Sequence, residues 1–408
     1  MTLAKQVAWS TIGNFLQLFA QWCISIVLVR ISGFETAGVF TLALTIANVF
    51  AFLSSYSTRH YMTSDVMHEY SRDQYIKTRF YTTILSFFLL LAFLVFYRFD
   101  RLNTLAIIAY AVYANSIMIS DIFFGSYQLG DHLEYAGYSS IAKGILCFLS
   151  FFFVMILFEN IIAALWVMAL SSFSILLFYE IPVYHRLFGR IEYPRRADAL
   201  VFLNLVKVCF PLMLSVFIPS LVIAIPRMII QEKFGELLLG VFGSIFTPTV
   251  VITTLVPSII TALVPMYANL WARRDHKRFH LRVFELIGGT IILGCFACVV
   301  AVLVGKPVMV LLFGGSIIEY YKLLYSAIIA TTLCAIASCY TILLTVVRKL
   351  KISLFSALIC LVCDAVLAAI LIDKFGIFGA AYTLIIAYSV QIIIQSITLI
   401  SVTTKGKI

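Results

Sequence analysis

The chain has 408 residues, of which 62% are apolar and 12% charged, and its mean hydropathy is +1.05. Soluble domains carry about 25% charged and 45–50% apolar residues, so the composition points to an integral membrane protein and leaves no stretch for a soluble catalytic or nucleotide-binding domain. The net charge of +10, from 29 Lys and Arg against 19 Asp and Glu, is informative through its distribution rather than its sum, and no nucleic-acid partner is expected.

About 20 apolar residues cross the roughly 30 Å hydrocarbon core. Twelve stretches qualify, near 7–31, 36–60, 78–98, 102–126, 138–158, 161–183, 201–228, 237–268, 282–304, 319–347, 353–373 and 378–401. The first run is too long for a cleavable signal peptide. Its Ser10, Asn14, Gln17 and Gln21 recur at helical spacing and share one face. The second span continues the pattern with Asn48, Ser55 and Arg59. Such stripes either hydrogen-bond a sugar or hold helix against helix. Arg59 is assigned to a cavity, since a guanidinium fork suits a diphosphate, whereas Arg30 and Arg227 read as interfacial anchors.

Span four carries Asn115, Ser116 and Asp121, span five opens on Lys143, span six ends on Glu180, and span seven holds Asn204 and Lys207. Ionisable groups inside a membrane face a cavity or pair with one another. Asp121, Glu180 and Lys207 lie roughly 9–12 Å to one side of their span centres, which reads as a vestibule open to the cytoplasm or as internal ion pairing. Asp364 sits near the middle of span eleven with no cation close in sequence. It pairs with a distant neighbour, stays protonated, or binds a coupling ion. Gln391 and Gln395 lie one turn apart on span twelve.

The pairs Cys295/Cys298 and Cys360/Cys363 have a spacing that suggests zinc in a soluble protein. Within apolar spans they read as thiols sharing a helix face. No metal, cofactor or catalytic constellation is expected: the chain carries no Walker loop, dinucleotide glycine pattern or Ser/His/Asp arrangement. With the N-terminus placed in the cytoplasm, 20 Lys and Arg fall on the inner side and 8 on the outer, with Lys207 inside a span. The positive-inside rule then puts both termini in the cytoplasm.

At an offset of 202 residues, GFETAGVF at 33–40 aligns with GELLLGVF at 235–242, and Arg72-Asp73 falls on Arg274-Asp275. Six spans per half insert the same way round, as in parallel-repeat transporters. The expectation is an all-α polytopic protein of twelve transmembrane helices in two pseudo-symmetric six-helix lobes, residues 1–198 and 199–408.

The segments IPRMIIQEKFGELLLGVFG (225–243), RHYMTSDVMHEYSRDQYIKTRF (59–80), LLFGGSIIEYYKLLYSAIIA (311–330) and KFGIFGAAYTLIIA (374–387) resemble those of the oligosaccharide flippases of the multidrug/oligosaccharidyl-lipid/polysaccharide exporter superfamily. The resemblance implies a non-enzymatic flippase moving an undecaprenyl-diphosphate-linked oligosaccharide across the bacterial plasma membrane for surface polysaccharide synthesis. Its partners would be the lipid-linked oligosaccharide, membrane lipids, and the polysaccharide polymerase and chain-length machinery. Substrate binding is assigned to Arg59, Lys143, Lys207, Asn14, Gln17, Gln21 and Asn48, and ion coupling to Asp364, Asp121 and Glu180. The rival readings are a multidrug exporter of the same superfamily and a membrane polysaccharide polymerase.

Overall fold

The protein is described here by a computed structural model that covers residues 3–65, 69–191 and 198–405. Fourteen α-helices follow one another among the described residues, with no strand. They are α1 (Leu3–Ser55), α2 (Thr58–Ser64), α3 (Arg72–Tyr97), α4 (Arg101–Leu129), α5 (Glu134–Phe158), α6 (Ile161–Ile175), α7 (Ile181–Phe188), α8 (Asp198–Phe246), α9 (Val250–Ala272), α10 (His276–Val300), α11 (Lys306–Phe313), α12 (Leu323–Val346), α13 (Leu350–Phe375) and α14 (Ile377–Lys405). Among the described residues, ten helical stretches are long and apolar enough to cross a membrane. The difference from the expected twelve arises in two very long ones, Lys5–Ser64 and Ala199–Ala272.

Each of these long stretches contains a break. Gly33 has φ 82° and ψ −178°, and Gly235 has φ 76° and ψ −173°. Only glycine takes up this backbone geometry without steric cost. The two glycines open the two motifs that match at the 202-residue offset, so the sequence repeat is also a repeat of backbone conformation. In the second stretch, a 3₁₀ turn at Thr247–Thr249 also separates α8 from α9.

A second internal match was not read from the sequence. Residues 182–189 (PVYHRLFG) and 307–314 (PVMVLLFG) share Pro-Val and Leu-Phe-Gly. In both places a five-residue π-helix, Leu176–Glu180 or Ala301–Gly305, precedes a short α-helix with Pro in its first turn. Both end on a glycine of positive φ, 89° at Gly189 and 93° at Gly314. Proline cannot donate to the carbonyl four residues back and its ring crowds that carbonyl. Here those carbonyls belong to Phe178 and Leu303, inside the π-turns that absorb the misfit. The sixth and ninth spans therefore run on to Phe188 and Phe313, beyond the expected ends at 183 and 304.

The chain divides into two compact units, residues 1–220 and 221–408. In the first, α1 packs on α3, α4 and α5, while α6 packs on α4 and α5. In the second, α12 packs on α9, α10 and α14, and α13 on α14. Large apolar side chains face outward, such as Phe96 at 88% exposure and Phe178 at 81%. Exposed apolar area on this scale requires a hydrocarbon surround.

The α1–α5 contact is made by backbone. A Cβ on Gly13 would lie 2.5 Å from the Gly137 carbonyl oxygen, and one on Gly137 would lie 2.5 Å from the Trp9 carbonyl. Small residues permit this approach in membrane helix pairs. Gly137→Leu is expected to destabilise by about 1–3 kcal/mol through overpacking, read as a lowered melting temperature in detergent. An unchanged melting temperature would contradict the close approach.

Candidate functional site

The sequence places an ion cluster where α2, α3 and α4 meet. Helix α1 stops at Ser55, and Tyr56 and Ser57 take φ of 44° and 52° before α2 begins. The turn is held by Ser57 N–H donating to Ser55 Oγ (3.4 Å) and Thr58 Oγ1 donating to Ser55 O (3.2 Å). Arg59 therefore stands on a separate short helix and does not continue the face of Asn48 and Ser55, as the spacing suggested. Gly125 leaves room for its stem: a Cβ there would lie 2.9 Å from Arg59 Cγ. The side chain runs along α4, whose Asp121, Gly125 and Gln128 share one face.

Asp121 binds two guanidinium groups. Arg59 Nη1 donates to Oδ1 at 2.6 Å and Arg79 Nη2 to Oδ2 at 3.3 Å. Arg59 Nη2 also reaches Gln128 Oε1 at 3.3 Å. Arg79, on α3, is fully buried and fixed by Nε to Thr58 Oγ1 (3.0 Å) and Nη1 to Met118 O (2.6 Å). Arg59 and Asp121 are 28% and 31% exposed. With two arginines on one carboxylate, the cluster keeps one net positive charge, and Arg59 is its accessible arm. Arg79 was missed in the sequence because it sits at a span end, among charges assigned to topology.

The residue before Asp121 belongs to a second, sealed cluster. Lys143 Nζ contacts Ser120 Oγ and lies 2.7 Å from Glu180 Oε1, and Ser139 Oγ donates to the same carboxylate. Lys143 and Glu180 are 1% and 0% exposed. Glu180 closes the first π-turn, and its carbonyl accepts from Tyr127 OH at 2.7 Å. The following helix is tied to α3 by Tyr184 OH donating to Asp73 Oδ1 (2.9 Å) and by Arg72 over the Phe188 ring (4.3 Å). Helix α4 thus passes between two ion clusters, one open and one closed.

The remaining sequence candidates are dispersed. Gln21 donates to Tyr110 OH at 2.8 Å, Gln17 hydrogen-bonds Tyr113, and Asn14 accepts from Ser140 Oγ at 3.4 Å. These bonds hold α1 to α4 and α5, which is the helix-joining alternative for the stripe. Asn48 is half-buried, and Lys207 is exposed on α8. In the second unit, Asp364 is fully buried and both carboxyl oxygens lack a donor among the described residues. Cys360 and Tyr388 stand within electrostatic reach of it. Gln395 donates to Thr341 Oγ1 (3.0 Å) and Ser356 Oγ (3.1 Å), joining α14 to α12 and α13. All nine cysteines are free thiols, and the described residues contain no group of three or more His, Cys, Asp or Glu placed to hold a metal.

Residues 3–271 match the family of polysaccharide biosynthesis proteins. The chain belongs to that family. It is similar to the capsular polysaccharide biosynthesis protein CapF of Staphylococcus aureus, 24% identical over 397 residues that take in 96% of this chain and 98% of CapF. Among solved structures, a multidrug resistance MATE transporter of the MOP superfamily, in its inward-facing conformation, matches with a TM-score of 0.76. The match has 14% identity and covers 98% of this chain and 99% of that one. The lipid II flippase MurJ in an inward closed conformation matches with a TM-score of 0.72 at 14% identity, over 97% of this chain and 87% of MurJ. At these identities the structural likenesses establish the fold. This member of the polysaccharide biosynthesis family is a multi-pass membrane protein with the fold of MATE and MurJ transporters.

Proposed function

We propose that the protein flips an undecaprenyl-diphosphate-linked oligosaccharide from the inner to the outer leaflet of a bacterial plasma membrane, with both termini cytoplasmic and residues 1–198 and 199–408 as its two halves. The observation that carries this reading is the Arg59–Asp121–Arg79 cluster. It is a net cation with one accessible guanidinium fork, suited to a diphosphate and unsuited to a cationic drug. Lys207 and Asn48 add polar contacts, while Asn14, Gln17 and Gln21 set the position of α1. Alternating exposure of the site to the two membrane faces moves the head group, and a polymerase with its chain-length machinery consumes the product. Deleting the gene in its native strain should abolish one surface polymer while its lipid-linked unit accumulates inside. Normal polymer without accumulation would refute the proposal.

Asp364 is the proposed coupling residue. A carboxylate at bilayer mid-depth costs at least roughly 2.5–3.5 kcal/mol on insertion scales, and no described donor offsets that cost here. Protonation or a bound cation removes it. Asp364→Asn should keep the melting temperature and abolish the response of transport to an imposed ion gradient. Retained gradient response in Asp364→Asn vesicles would exclude the coupling role.

A further inference from the structure

Between α9 and α10 the second unit carries an apolar slot of about 490 Å³, a size within the roughly 300–1,000 Å³ of ligand sites. Ile259, Leu263 and Met266 form one wall and Leu286 and Leu293 the other. Helix α10 contributes Gly289 to the lining, and a Cβ there would meet nothing within 4 Å, so the space beside it is open. Helix α9 carries Pro257 and Pro265 in its interior, and each removes a backbone donor from the helical ladder.

One end of the slot is charged. Arg282 Nη1 lies 2.7 Å from Glu285 Oε2, with both side chains about half exposed at 53% and 48%. Both residues line the slot. The Glu285 bond takes one of the five N–H groups of a guanidinium. Tyr267 OH donates to the Arg282 carbonyl at 2.9 Å and fixes the backbone there. The adjoining turn adds Arg273 and Arg274, and the first turn of α10 adds Lys277 and Arg278, against Asp275. From Val256 to Tyr267 the slot runs about 16 Å by helical rise, close to the depth of one leaflet in a roughly 30 Å core.

We propose that this slot binds an anionic phospholipid, with one acyl chain along the α9–α10 walls and its phosphate at Arg282. Basic pockets between membrane helices take such head groups. A slot about one leaflet deep, with Arg282, its Glu285 partner and the basic turn all at one end, matches a single acyl chain and its phosphate. The site lies apart from the Arg59–Asp121–Arg79 cluster in sequence and in unit, and it requires no particular transported substrate.

The test is native mass spectrometry of the purified full-length protein. It is presented with phosphatidylglycerol, with phosphatidylcholine of the same chains, or with undecaprenyl phosphate. The wild type should retain phosphatidylglycerol about fivefold over phosphatidylcholine, the factor expected of one basic contact near a membrane surface. Gly289→Leu fills the slot from a position with open space, so it should melt as the wild type does without lipid yet lose the retained phosphatidylglycerol. Arg282→Gln should keep a bound lipid and lose the preference between head groups. Equal retention by wild type and Gly289→Leu would overturn the site. A wild type without head-group preference would overturn the role of Arg282. Stronger retention of undecaprenyl phosphate than of phosphatidylglycerol would overturn the choice of a phospholipid.

Discussion

Lys143→Met is expected to cost about 3–5 kcal/mol, the cost of leaving one member of a buried ion pair uncompensated. The variant should express poorly and melt far below the wild type in detergent. Lys143 and Glu180 are almost completely shielded, and the ammonium is the cation that neutralises Glu180. Without it, Ser139 is the remaining donor to that carboxylate, whose Oε2 already lacks a partner among the described residues. Replacing both members, Lys143→Met with Glu180→Gln, removes both charges and should recover most of the lost stability, since apolar or neutral replacements of a whole buried pair are often neutral. A wild-type melting temperature in the single variant would contradict this account of the pair. The double variant also separates roles: if it folds and transports, Lys143 holds the helices and does not meet substrate.

Arg59→Ala is expected to reduce transport by about 10–150-fold, the factor that corresponds to losing a charged hydrogen bond of roughly 1.5–3 kcal/mol to a phosphate. Its effect on stability should be small. Arg59 is partly exposed, and its removal leaves Asp121 paired with the buried Arg79. Arg30→Ala, at an exposed helix position, should transport normally. Initial rates at matched protein levels, with melting temperatures measured alongside, distinguish loss of substrate contact from loss of fold. Wild-type rates for both variants would remove Arg59 from the site.

The residues that were legible in the sequence are those whose meaning is local. Apolar runs marked the membrane helices, and Gly33 and Gly235 announced equivalent breaks because an identical backbone need selects the same residue twice. Asp121 and Glu180 were visible as charges out of place. Their partners were not: Arg59 and Arg79 reach Asp121 across 62 and 42 residues of chain, and the register of helix on helix decides such pairing, which periodicity along one helix cannot report. The polar stripe of the first span reads as a single face from its spacing, but Gln17 and Gln21 meet tyrosines of α4 whose orientation only the packed unit shows. The break at Tyr56 and Ser57 escaped notice because neither residue is a glycine or proline. The π-turns before Pro182 and Pro307 left a signal in the repeated Pro-Val and Leu-Phe-Gly, at an offset of 125 residues, different from that of the main repeat.

The most direct measurement is head-group translocation by the purified protein in vesicles loaded with an undecaprenyl-diphosphate-linked oligosaccharide in one leaflet. Wild-type protein should expose the oligosaccharide on the opposite face faster than protein-free vesicles, and Arg59→Ala should fall towards that baseline while remaining folded. Translocation by the wild type no faster than in protein-free vesicles, with the protein shown to be folded and correctly inserted, would contradict the account.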